Sequence, residues 1–348
     1  MHNRFRTLVA RATGLSPAGI AISLRQPLDH QSNLLYDVRF GARHLILKEY
    51  RKPHEFAEAP VREFRALELL EPLDIAPSPI LIQAAPDPPL GPVVVYEFME
   101  GSMWDRQCPT APDLAALAEV WLRLHAVEKA GLWFSRGYEH PLTEIWARLC
   151  IRLQQHIARI RTASVAGREI ADLCTGVLDR CGAAAHELAA LTPPLCFCRA
   201  DARFANVIQR PEGRLGLVDW EDSGLRDPAR EVADLLTHPN QEDLLAPDEW
   251  QAFLQPYLAG QWSVDPQLQQ RLHLYLAIFP LYWLAILLDQ GTRLAAANRL
   301  VGWTVNGLPA NVRLRRYLAR ALAWPDADFR AQLATLDSLD FFPSPPTS

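Results

Sequence analysis

The spacing of apolar residues changes once along this chain, near residues 98–101, and that change limits the possible folds more than any other feature. Before it, apolar residues alternate. Leu34–Phe40 puts Tyr36, Val38 and Phe40 on one face, Gly41-Ala42 makes a turn, and Arg43–Lys48 puts His44, Ile46 and Lys48 on one face, which predicts a hairpin. A short helix over 5–14 and strand-like Ala18–Leu28 precede it, and the polar turn Asp29–Asn33 links that strand to the hairpin. Pro60 marks the first turn of a helix to about Glu71, with Phe64 and Leu67 apolar. Strand-like residues near Ile80–Ile82 and a buried strand over Pro92–Met99 complete this half.

Beyond Gly101 the period becomes helical. Asp113–Ala126 carries Leu114, Leu117, Ala118, Trp121 and His125 on one stripe, and further helices are predicted over 142–161, 167–190, 228–236, 248–258, 266–289 and 312–323. Short strands over 195–199, 207–209 and 214–219 interrupt them. The expected class is α+β, with a small β-rich lobe over 1–98 and a larger, mostly helical lobe over 99–348. The Pro/Ser tail after Phe342 reads as disordered.

At 348 residues the chain exceeds one small core, and 49% hydrophobic with 22% charged residues is the composition of a soluble globular protein. A net charge of −5 with no strongly basic half argues against a nucleic-acid surface. The most apolar run, Leu274–Leu288, is short for a membrane span and contains Pro280, so it is expected to be a buried helix, with no membrane partner. The N-terminal segment lacks an apolar signal core. Of six cysteines only Cys196 and Cys198 are close, on one face of a strand, and without a C-x-x-C pair zinc and thiol-redox chemistry are not expected. Reduced, mostly buried thiols in a cytoplasmic monomer or homodimer are the expectation. Arginine supplies almost all basic charge; the lysines are Lys48, Lys52 and Lys129, so a well-placed one is informative.

The chemistry concentrates in C-R-A-D-A-R-F-A-N-V-I, Cys198–Ile208, followed by L-G-L-V-D-W-E, Leu215–Glu221. Asp201 and Asn206 share a short turn between strand-like segments, and Asp219 ends the next strand. Phosphoryl transfer needs a carboxylate to take or orient the acceptor hydroxyl, and oxygen ligands that hold Mg²⁺ against phosphates. This arrangement supplies both. Turn stabilisation by Asp201 and Asn206 is the alternative reading of the turn alone.

These segments resemble the aminoglycoside phosphotransferase and choline kinase superfamily, whose signature is H-x-D-x4-N followed by an Asp-Trp-Gly/Glu motif. W-E-D-S-G-L-R-D-P-A-R-E-V-A-D-L is similar to that family's continuation. The resemblance implies a bilobal, protein-kinase-like fold, with motifs recognisable over about Leu34–Leu236. It implies transfer of a γ-phosphate from ATP or GTP with Mg²⁺ to a hydroxyl of a small molecule such as an amino alcohol, sugar or aminoglycoside-like compound. By this resemblance Asp201 is the catalytic base, Asn206 a second metal ligand and Asp219 the principal one. Asp227 and Glu231 are expected to pin the loop and helix start. H-L-I-L-K resembles the strand that presents the phosphate-binding lysine, Lys48, and V-R-E-F-R-A-L-E-L-L resembles the helix carrying its glutamate, with Glu63 preferred over Glu58 and Glu68. Glu97–Gly101 resembles the interlobe linker, whose backbone at Glu97 and Met99 would meet the adenine.

Two departures stand out. Arg199 occupies the family's histidine position, and the phosphate-covering turn D-H-Q-S-N has no glycine, leaving Ser32, Asn33 and backbone N–H groups as contacts. Arg203 is expected either to pair with the γ-phosphate or to be a solvated loop arginine. His125, on an apolar stripe, is expected to be a hydrogen-bonded core histidine. A nucleotide-binding pseudokinase is the alternative function; a protein kinase is disfavoured because no A-P-E-like segment follows Asp219. Tyr275, Phe279, Tyr282, Trp283 and Asp289, with Glu221 and Asp222, are candidates near the acceptor, most of the aromatics being expected in the core.

Overall fold

A computed structural model describes residues 2–25, 33–51, 58–84, 91–105, 107–128, 142–163, 165–324, 327–337 and 341. The expected Ser32 contact and the tail after Phe342 lie outside these residues. The chain packs into two compact units, one of Met1–Phe134, Cys196–Leu225 and Ala252–Tyr257, the other of Ser135–Leu195, Arg226–Gln251 and Leu258–Ser348. This grouping cuts the chain differently from the compositional change at 98–101.

In the first unit, α1 (His2–Thr13) precedes an antiparallel sheet built from β1 (Ala21–Leu24), β2 (Leu34–Phe40), β3 (Arg43–Glu49), β4 (Pro79–Gln83) and β5 (Val93–Glu97) in the order β1-β2-β3-β5-β4. Alternation decides its faces. Tyr36, Val38, Leu45, Leu47, Val93 and Val95 form a core with Phe5 and Val9 of α1, and Phe40 packs against it. Ile46 and Lys48 point to the opposite face, yet both are buried, so β3 is covered on two sides. The helix α2 (Ala59–Leu70) has Pro60 in its first turn and buries Arg62, Glu63, Ala66, Leu67 and Leu70, the i, i+4 and i+3 spacing of one stripe.

After β6 (Ser102–Met103), α3 (Ala111–His125) starts on a capping box in which Thr110 and Asp113 satisfy each other's backbone N–H. Its buried stripe, Leu114, Leu117, Ala118, Trp121 and His125, is the expected one. The strands β7 (Cys196–Cys198), β8 (Val207–Gln209), β9 (Leu215–Leu217) and β10 (Gly224–Arg226) follow, with β6, β8 and β9 forming one sheet. Gly101 is needed here: its φ is +144°, and a Cβ would stand 2.3 Å from the Gln209 carbonyl oxygen.

The second unit is built mainly from helices: α4 (Leu142–Ala163), α5 (Val165–Ala189), α6 (Pro228–Thr237), α7 (Gln251–Gln261, of which Ala252–Tyr257 groups with the first unit), α8 (Leu268–Ala296), α9 (Ala310–Ala323) and α10 (Phe329–Thr335), with a small ladder of β11 (Thr304–Val305) and β12 (Leu308–Pro309). Asp227 caps α6 by accepting from the Ala229 amide at 2.9 Å, as expected. It also accepts from Arg271 Nε at 3.0 Å, while Arg271 Nη1 reaches Asp265 Oδ1 at 3.0 Å, all three side chains being buried.

The helix α8 corrects an expectation. Pro280 sits inside it without ending it, and its 29 residues make it long and apolar enough to cross a membrane, so shortness is no argument against a span. Burial is the relevant observation: 67% of its most apolar stretch is covered by protein. Tyr275 and Phe279 belong to that buried surface, and Asp289 near its end accepts from or pairs with His156 Nε2 at 2.6 Å.

Candidate active site

The expected chemical residues that converge all lie in the first unit. Lys48, paired in register with Leu35 and Val94, projects its ammonium towards α2, where its Nζ donates to Glu63 Oε2 at 2.7 Å. The same Nζ donates to Asp219 Oδ1 at 2.5 Å and lies 3.0 Å from Glu221 Oε2. The three glutamates of the α2 region separate cleanly. Glu58 lies 3.8 Å from Arg62, Glu68 pairs with Arg65 at 2.6 Å, and Glu63 takes Lys48 and the Tyr50 hydroxyl.

Burial opposes the Lys48 charge, but Asp219 and Glu63 outweigh it and hold the ammonium's pKa well above the ordinary value. Burial would raise the Asp219 pKa; Lys48 and Arg203 overcome this and lower it, so Asp219 is ionised. Glu221 goes the other way. Burial, with Asp219 and Glu63 beside it, pushes its carboxyl up to about 7 in spite of Lys48.

The turn after β7 supplies the second half of the site. Asn206 Nδ2 donates to Asp201 Oδ2 at 3.0 Å, and Arg203 Nε lies 2.9 Å from that oxygen. Arg203 Nη2 donates to Asp219 Oδ2 at 3.1 Å, which links the turn to the Lys48 cluster. The Val218 amide donates to the Asn206 carbonyl at 3.0 Å, and β8 pairs with β9 through Val207 opposite Leu217, so Asn206 and Asp219 leave neighbouring strands. Ala200 and Asp219 both have left-handed backbone, φ +70° and +66°. Such non-glycine residues cost on the order of 1–3 kcal/mol each and concentrate at functional sites.

Arg203, its side chain 39% exposed, bridges two carboxylates, and Asn33 Nδ2 joins the cluster by donating to Glu221 Oε2 at 2.6 Å. Glu97 and Met99 stand apart from it. The Glu97 carboxylate pairs with Arg43, and the Met99 thioether lies over Gly216, where a Cβ would come within 2.0 Å of its sulfur. Neither contact involves the backbone through which these residues are expected to act. Glu221 is the member whose place in the Lys48 cluster sequence reasoning missed. It was legible only as an acid two residues past Asp219; its contacts with Lys48 and Asn33 span most of the unit.

Oxygen donors suited to Mg²⁺ are present in the ionised Asp219 carboxylate and the Asn206 side-chain carbonyl, whereas the Glu63, Asp219 and Glu221 carboxylates, within 4.8 Å of one another, surround the Lys48 ammonium. Arg199 is fully buried, with Nη2 4.0 Å from Asp201 Oδ2. From this position it is expected to brace the turn. Arg199→Ala is expected to lower turnover about 10²-fold by misplacing Asp201, whereas Arg199→His keeps most of it. Steady-state kinetics on both variants test this, and equal turnover in Arg199→Ala and the parent refutes the bracing role.

The fold is the protein-kinase-like α+β fold, and it carries an ion network joining a strand lysine, a helix glutamate and the D-x4-N and D-W-E segments. Over residues 23–266 the sequence matches the phosphotransferase enzyme family, and the chain belongs to that family. The chain is similar to a choline/ethanolamine kinase family protein from Mesorhizobium loti, with 21% identity and a TM-score of 0.58 over 97% of this chain and 99% of that one. It is also similar to choline kinase from Cryptosporidium parvum Iowa II, with 16% identity and a TM-score of 0.62 over 97% and 99% of the two chains. A spectinomycin phosphotransferase solved with ADP and spectinomycin gives 15% identity and a TM-score of 0.58 over 92% and 97%. None of the curated proteins matches the sequence.

Proposed function

We propose that this protein transfers the γ-phosphoryl group of ATP or GTP to a hydroxyl of a small molecule, an amino alcohol, sugar or aminoglycoside-like compound. The observation that carries this reading is the continuous ion network from Glu63 through Lys48 and Asp219 to Arg203 and Asp201. The likeness to a choline kinase and to a spectinomycin phosphotransferase solved with ADP and spectinomycin supports the substrate class.

In this reading Lys48, oriented by Glu63, holds the nucleotide's phosphates, and Asn33, the residue before β2, lies beside them. Glu97 and Met99 offer backbone groups to the base. Mg²⁺ would be held by Asp219 and Asn206 and supplies charge neutralisation on the phosphates. Asp201 orients the acceptor hydroxyl and takes its proton as the oxygen bonds to the γ-phosphorus and the nucleoside diphosphate leaves with the electrons of the broken P–O bond. Arg203, held between Asp201 and Asp219, is placed to offset negative charge on the phosphoryl group in transfer.

Two measurements test the proposal. A nucleotide-consumption screen with Mg²⁺ against amino alcohols, sugars and aminoglycosides is expected to find a hydroxyl acceptor. By calorimetry with a non-hydrolysable nucleotide, Lys48→Ala and Asp219→Ala are each expected to weaken Mg²⁺-nucleotide binding by about tenfold or more, the loss of a charge-assisted contact. Parental affinity in both variants would remove the nucleotide from this cluster.

A further inference from the structure

Away from the ion network, a second set of chemistry-bearing side chains meets at the end of α3 and along β7. Cys196 and Cys198 present their sulfurs on one face of β7, Sγ to Sγ 3.6 Å. His125, the last residue of α3, brings Nε2 to 3.8 Å from Cys198 Sγ. The three ligand atoms lie within 4.8 Å of one another, and all three residues are buried. No C-x-x-C spacing announces this group, because the third donor is 73 residues upstream of Cys198.

We propose that His125, Cys196 and Cys198 bind one thiophilic d¹⁰ metal ion, Zn(II) or Cu(I), that ties α3 to the strand leading into the Asp201 turn. Geometry, donor softness and outer-shell support each favour it. Sulfur sits ~2.3 Å from zinc, so two thiolates on one tetrahedral ion lie roughly 3.8 Å apart, close to the separation observed before any ion draws them in. A disulfide is the poorer outcome. Residues i and i+2 of a strand have Cα atoms roughly 6.6 Å apart, at the upper edge of what an S–S bridge spans.

Two thiolates and an imidazole are the soft donor set that selects Cu(I) and Zn(II) over hard cations. Binding releases both thiol protons. With Zn(II) the resulting complex is neutral, which suits a buried position. Tyr257 supplies the outer shell: its hydroxyl lies 2.8 Å from His125 Nδ1. With the proton on Nδ1 and the hydroxyl oxygen accepting it, the Nε2 lone pair faces the sulfurs, the arrangement that metal-bound histidines adopt. Cys198 directly precedes Arg199 and lies three residues before Asp201, so an ion here anchors the root of the catalytic turn.

The experiment uses the full chain, stripped with a chelator under reducing conditions and titrated separately with Zn(II) and, anaerobically, with Cu(I). One ion per chain by elemental analysis, with a raised melting midpoint, is expected for at least one of the two metals. The Cys196→Ala/Cys198→Ala double variant is expected to bind none at this site. Circular dichroism checks that it folds, as small apolar replacements of buried thiols should allow. Tyr257→Phe is expected to weaken the ion's affinity about 10–100-fold. Independently of any variant, Co(II) added to the parent should give thiolate-to-metal charge-transfer absorption. No stoichiometric uptake of either metal, undiminished uptake by the folded double variant or, where Zn(II) is the ion taken up, absence of those bands overturns the site.

Discussion

Asp201→Asn is expected to lower turnover by on the order of 10²–10⁴-fold, the contribution of a positioned general base, while Mg²⁺-nucleotide affinity changes little. The substitution preserves shape. An amide oxygen at this position can still accept from Asn206 Nδ2, now 3.0 Å from Asp201 Oδ2. What disappears is the anion, and with it the ability to accept the hydroxyl proton and one of the two carboxylate partners of Arg203. The contacts of Lys48 with Glu63 and Asp219 do not involve Asp201, which is why nucleotide binding should survive. Single-turnover kinetics with an identified acceptor, beside nucleotide calorimetry, measure the two effects separately. An Asp201→Asn enzyme that turns over at the parental rate removes Asp201 from the reaction.

Arg271→Met should be the most destabilising single change discussed here, by about 3–5 kcal/mol, because it strands two buried carboxylates. Arg271, Asp227 and Asp265 are 0%, 5% and 4% exposed. Burial already raises the Asp227 pKa even with Arg271 in place, so without the guanidinium the carboxylate must protonate or draw in water. Asp227 also caps α6, so disorder there extends to a helix start. Chemical denaturation gives the comparison. The exposed pairs of Asp74 with Arg210 and Arg214 provide the control: their removal should cost less than ~1 kcal/mol. A loss in Arg271→Met no larger than in that control contradicts the reading of a tightly coupled buried triad.

The sequence was most legible where structure is periodic. The hairpin of β2 and β3 appears with ends within one residue of expectation, and α3 carries the predicted stripe, because alternation and the helical repeat are local properties of the chain. Glu63 was separable from Glu58 and Glu68 through the resemblance of its helix, and its contact with Lys48 agrees. The two-residue strands β6, β11 and β12 escaped notice because so short a ladder has no period to detect. The helix predicted over 266–289 runs through Pro280 as α8, which tertiary packing on α5, α6 and α9 holds. Glu221 and the His125–Cys196–Cys198 group were hidden for another reason. Their partners are remote in sequence, and nothing in the residues flanking them encodes a meeting made by the fold.

That remoteness also bears on how the protein is made. Lys48 is separated from Asp219 by 171 positions, and the unit containing both includes Ala252–Tyr257. At ~5–20 residues per second, a ribosome needs roughly ten to thirty seconds to extend the chain from the lysine to that aspartate. Throughout the interval the chain carries an ammonium destined for burial with Glu63, the Tyr50 ring and solvent to stabilise it but without Asp219, and β6 waits for the strand that will pair with it. The segment Ser135–Leu195, which belongs to the other unit, is synthesised in between. The ion network is thus assembled late, after translation has passed through the helical segment of the other unit, and no contiguous N-terminal fragment ending before that point can contain it.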